Sequence, residues 1–164
     1  MKRLGLFCII TVLLLCTLTS CIMIPTYKHY KISADTVSSI AVYDLRQSES
    51  HYSDFLETES PVYELPEEKI ADFLGDLSEI RFSDTIIITI AAVDPSFVYD
   101  DWTVRVNYTD GSYELISCDG YGEVYDKNGE KTDSHHFGCE QEVWSALIEK
   151  YLPQEILGDL QSAQ

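Results

Sequence analysis

WTVRVNYTDGSYELISCDGYGEVYDKNGE, residues 102–130, alternates apolar and polar side chains and is broken by three short glycine turns. In its first piece Trp102, Val104, Val106 and Tyr108 share one phase and Thr103, Arg105 and Asn107 the other, the period of a strand with one face on a core. Asp110-Gly111 turns the chain and residues 113–118 return, which is the sequence form of a hairpin. Asp119-Gly120 precedes a further strand over 121–125, and Asn128-Gly129, two residues that tolerate positive φ, ends it. The oxygen-rich run from Asp126 to Glu130 is a turn and not a calcium loop. An EF-hand places its glycine sixth and a bidentate Glu twelfth, whereas Gly129 is fourth in this run. Turns at such close spacing describe an antiparallel meander.

Toward the N-terminus, the β-branched and apolar residues Val37, Ile40, Val42 and Tyr43 predict a strand over 39–44, and the polar stretch 47–60 reads as a loop. A short extended piece at 62–65 leads into a helix opened by Pro66, whose missing N–H is harmless in a first turn. Glu67 and Glu68 oppose the positive end of its dipole, while Ile70, Phe73, Leu74 and Leu77 fall on one face. Residues 85–90, Thr-Ile-Ile-Ile-Thr-Ile, are apolar on both phases and predict a central strand. At the far end, Val143, Trp144, Leu147, Ile148 and Tyr151 make an apolar stripe on a helix over 140–152 that Pro153 stops, leaving 154–164 as a frayed tail. These elements predict an α+β fold: an antiparallel sheet of four to six strands, a meander in its second half, with two helices packed on one face. One domain over 32–153 accommodates them.

The first twenty residues have a different character. Lys2 and Arg3 precede an apolar run from Leu4 to Leu18, too short to span hydrocarbon and followed by Leu18-Thr19-Ser20-Cys21. This tetrapeptide resembles the lipobox of bacterial lipoproteins. The resemblance implies that a signal peptide, residues 1–20, is removed and that Cys21 is diacylglycerated. Two acyl chains give stable anchoring where one gives marginal binding, so the expected location is the extracytoplasmic face of the cell membrane. Residues 21–31 then read as the lipidated cysteine and a tether. The tethered α+β layout is similar to that of small lipoproteins of Gram-positive bacteria in architecture only, and brings no site residues with it.

The chain carries 11 basic and 28 acidic residues; the signal segment removes Lys2 and Arg3 and no acid, so the mature formal charge is −19. Such a field repels nucleic-acid phosphates and anionic headgroups and favours a basic protein partner. No G-x-S-x-G, H-E-x-x-H, phosphate loop or S-x-x-K is present. Paired acids such as Asp100-Asp101 are expected by chance among 28 acids and assign no catalytic residue. His135, His136 and Cys139 gather borderline metal ligands in one stretch, but adjacent histidines do not easily share an ion, and a polar loop into the last helix explains them better. No cofactor is implied. Phe97, Tyr99, Asp100, Asp101 and Tyr121 form the candidate contact surface, aromatic faces beside carboxylates. Cys118 and Cys139, the even remainder after Cys8, Cys16 and Cys21, are candidates for a disulfide, with buried thiols and metal ligation as alternatives. The expectation is a membrane-anchored, non-enzymatic binding module. An inhibitor or immunity-type lipoprotein capping a cationic toxin or enzyme, and a metal-assisted hydrolase, are the alternatives.

Overall fold

The computed structural model describes residues 26–44, 60–84, 102–120 and 122–162. In chain order the described elements are β1 (Tyr27–Lys28), a 3-10 turn (Ala34–Thr36), β2 (Val37–Asp44), β3 (Tyr63–Glu64), α1 (Glu67–Glu79), β4 (Phe82–Ser83), β5 (Trp102–Tyr108), β6 (Tyr113–Ser117), β7 (Gly122–Tyr125), β8 (Lys131–His135), α2 (Gln141–Tyr151) and α3 (Gln154–Ser162). Six strands form an antiparallel sheet in the order β3-β2-β5-β6-β7-β8, and β1 pairs with β4 in a separate ribbon. The fold is α+β, and β5 to β8 are the meander.

Two of its hairpins are built alike. Gly111 N–H donates to the Tyr108 carbonyl at 3.1 Å and Tyr108 N–H to that of Ser112 at 2.9 Å; Gly129 and Asp126 repeat this with Asp126 and Glu130 at 3.0 and 2.9 Å. Each is a three-residue loop closed by a glycine at positive φ, 89° at Gly111 and 79° at Gly129. Among the described residues only glycines take positive φ, so Asn128 does not use its tolerance for it. Asp126 fixes this geometry, its Oδ1 accepting the N–H of Asn128 at 2.8 Å and of Glu130 at 2.9 Å. The strand β8 replaces the polar loop read from the sequence. Its residues, Lys-Thr-Asp-Ser-His, carry no apolar period, and pairing with β7 makes them an edge.

In antiparallel ladders, directly opposed residues share a face. Val42, Val104 and Ile116 lie in one such row, and Ile40, Val106 and Glu114 in the next. Onto this face α1 lays Ile70, Phe73, Leu74 and Leu77, and α2 lays Trp144, Leu147, Ile148 and Tyr151. Trp144 is fully buried, and its indole N–H donates to the Trp102 carbonyl at 2.7 Å, so its polar edge is satisfied inside the core. Val143, counted in the apolar stripe from sequence, is instead 44% exposed, because it lies one position off the buried face. Tyr43, Thr103 and Ser117, a row on the opposite face, are buried as well, so the centre of the sheet is enclosed on both sides.

Both domain boundaries shift outward from the sequence reading. Thr26 and Asp84 exchange hydrogen bonds, β1 pairs with β4, and Tyr30 is only 3% exposed, so residues 26–31 belong to the fold and are not a tether. The Tyr30 ring meets Phe82 edge-on with centroids 4.8 Å apart, and the Arg81 guanidinium covers Tyr27 at 3.4 Å. At the other end the frayed tail is the helix α3, with Leu157 packed against the core. The predicted strand at 85–90, nearly all of the loop at 47–60 and the whole signal segment lie outside the described residues. No helix among the described residues is long and apolar enough to cross a membrane.

Candidate functional site

The inner face of the sheet also carries a polar cluster. Glu114 of β6 is directed into it by register, opposite Val106 and Val124. Its Oε1 lies 2.9 Å from His135 Nε2 and 3.5 Å from Lys28 Nζ, and its Oε2 accepts the Tyr108 hydroxyl at 2.9 Å. The imidazole reaches it by lying across Gly122, where any added Cβ would sit 1.7 Å from the ring. Gly122 therefore makes the opening through which β8 reaches β6. Tyr30 closes the cluster, its hydroxyl 3.4 Å from the imidazole and its ring under the Lys28 ammonium at 4.1 Å.

Burial works against ionisation of Glu114. The His135 hydrogen bond, the Lys28 charge and the Tyr108 hydroxyl together outweigh it and hold the carboxyl below the usual range. For Lys28 the balance is reversed: burial lowers its pKa despite Glu114, so the ammonium at 3.5 Å is the weaker member and the imidazole the main support. Burial, then the neighbouring carboxylate, pushes the Tyr108 phenol well above its ordinary value. These contacts make the cluster a strut joining β1, β5, β6 and β8.

On the outer face, a ladder crosses the meander. Arg105 lies over the Tyr113 ring at 3.9 Å, Tyr113 stacks on Tyr125 with centroids 4.6 Å apart, and Tyr125 and Lys131 both bond Glu123. These groups satisfy one another.

The helical layer differs sharply in charge. On α1 the side chains of Glu67, Glu68, Asp72 and Glu79 are exposed; Glu140, Glu142, Glu149 and Glu155 are exposed on and beside α2 and α3. Lys69 and Lys150 are the exposed cations on the same helices. Between α1 and α2 an open groove of about 530 Å³ is lined by Ala71, Asp72, Gly75, Asp76 and Tyr151. Lys150 bonds Asp76 at 2.5 Å, and that hydrogen bond, with one from Tyr151, holds the half-buried Asp76 carboxyl below its ordinary range.

Of the residues singled out from sequence, Cys21, Phe97, Tyr99, Asp100, Asp101 and Tyr121 lie outside the described residues. The histidines and Cys139 do not converge. His135 turns inward to Glu114, its neighbour His136 is exposed, and Cys139 is buried beside Cys118. Among the described residues no group of three or more His, Cys, Asp or Glu side chains is placed to hold a metal ion. The two cysteines are brought together as buried thiols, Cys139 N–H donating to the Cys118 carbonyl at 2.9 Å. Sequence reasoning passed over Glu114 and Lys28. The available signal was an acid in the core phase of a strand, since an apolar face excludes a carboxylate that has no partner. Compared with protein-family models, with curated proteins and with solved structures, the chain matches none.

Proposed function

We propose that the chain is a lipid-anchored, extracytoplasmic, non-enzymatic binding module whose helical layer engages a basic protein at the outer face of the membrane. The observation that carries this reading is the eight exposed carboxylates on and beside α1 to α3, set against Lys69 and Lys150. Opposed charge steers encounter and excludes wrong partners more than it adds affinity, so the signature belongs in the association rate. The anchor supports the location: Cys21 stands five positions before Thr26, where the described fold begins, which keeps the helical layer near the bilayer. The same acidic layer favours a second, narrower reading, in which the domain caps a cationic toxin or enzyme as an inhibitor or immunity-type lipoprotein.

Fractionation and association kinetics test the two halves separately. Cys21→Ala is expected to move the protein out of the membrane fraction; unchanged recovery in membranes would sink the anchor. A partner captured on the native membrane is expected to be basic, with an on-rate that falls steeply between low and physiological salt. An on-rate indifferent to salt would remove the acidic layer from recognition.

A further inference from the structure

We infer that Cys118 and Cys139 are an oxidation site, a thiol pair that closes to an intramolecular disulfide when the chain folds in the presence of a disulfide oxidant. The backbone bond between them sets the geometry. With the Cys139 nitrogen 2.9 Å from the Cys118 oxygen, standard bond lengths leave the two Cα atoms at most about 6.8 Å apart. That is inside the limit of about 7 Å for a bridge that needs no backbone movement. Both side chains belong to the same buried core cluster, at 4% and 5% exposure. The close approach is built in by Gly138, where a Cβ would lie 2.5 Å from the Cys118 carbonyl oxygen.

The position joins segments that the fold otherwise holds by backbone hydrogen bonds and core packing. Gly138 exchanges two backbone bonds with Ser83 of β4, at 2.7 and 3.0 Å, and β4 pairs with β1, the first strand after Cys21. From the N-terminal strand the path runs through β4 and Gly138 to Cys139, and from there to Cys118, the residue after β6. A disulfide makes the last step covalent and closes β7 and β8 into one loop. That the path leads from the membrane anchor rests on the reading proposed above; formation of the bond does not.

The step balances as thiol–disulfide exchange. One cysteine thiolate attacks the oxidant's disulfide and expels a thiolate; the second cysteine then displaces the bound half. The protein loses two protons and two electrons, and the oxidant leaves as two thiols. Because the sulfurs are buried, exchange is fast during folding and slow on the folded chain.

The test refolds the full chain in detergent with oxidised glutathione, blocks remaining thiols with iodoacetamide and maps tryptic peptides. Cleavage after Lys127 and Lys131 separates the two cysteines, so the bridge joins peptides 106–127 and 132–150. The expected result is this linked pair as the main species, absent after reduction, and a midpoint of thermal unfolding raised by roughly 10 °C over the reduced chain. Cys118→Ser/Cys139→Ser is expected to show no response to the oxidant; should that variant fail to fold, the wild-type map still decides. Recovery of the two peptides as separate alkylated thiols, as glutathione adducts or linked to Cys8, Cys16 or Cys21 would overturn the inference. Because no membrane or partner enters the measurement, its failure would leave the binding reading untouched.

Discussion

Glu114 occupies a row in which it is flanked by Val106 and Val124, with Ile40 beyond the one and Asp133 beyond the other, and it is tolerated there because three groups stabilise its charge. The sign of its pH effect follows. A carboxyl held below its ordinary value of 4.5 contributes stability that is fully present above that pH and is lost as pH falls through the lower, folded value. Glu114→Gln is therefore expected to remove part of the acid limb below about pH 4.5 and to cost about 2 kcal/mol at neutral pH, where it leaves Lys28 without its carboxylate. Urea unfolding between pH 3 and 7 checks this, and an acid limb parallel to that of the wild type would show that other carboxylates carry it. Tyr108 does not contribute to this window, since its phenol stays neutral throughout.

At the scale of elements, legibility followed the source of each element's stability. The strand β5 and the helix α1 were readable because burial of one face imposes a period on the sequence. Their in-phase residues, Val104, Val106, Ile70 and Phe73, are the buried ones. The edge strand β8 was not readable, since Lys131 to Ser134 are exposed and what holds them is backbone pairing with β7. The same holds for β1, two residues whose partner lies more than fifty positions away. Of the candidate site, the cysteine pair was visible as an even remainder, whereas the Glu114 cluster required knowing which phase of β6 faced inward. Register also corrects α2. Val143 and Ile148 both belonged to the predicted stripe, yet one is 44% exposed and the other 1%. Val143→Lys is expected to change stability by less than about 0.5 kcal/mol, and Ile148→Ala to cost about 2–4 kcal/mol. Equal losses in denaturant titrations of the two variants would mean that the helix is rotated from the face described.

Across the whole molecule, residues 26–31 tie the start of the described fold to its polar cluster and its core. A domain starting at residue 32 was the natural reading of a segment without a helical or strand period. Physically that boundary would delete β1, the Lys28 contact to Glu114, and Tyr30, whose ring is buried against Phe82 and beside His135. Truncating a buried aromatic side chain alone costs about 3–5 kcal/mol, and here the ribbon that carries it is lost as well. A chain beginning at residue 32 is therefore expected to unfold at least about 3 kcal/mol more easily than one beginning at residue 22. With a urea slope of about 1–3 kcal/mol/M, its midpoint should fall by at least about 1–3 M. Coincident urea midpoints for the two chains would show that residues 22–31 add nothing to the stability of the fold.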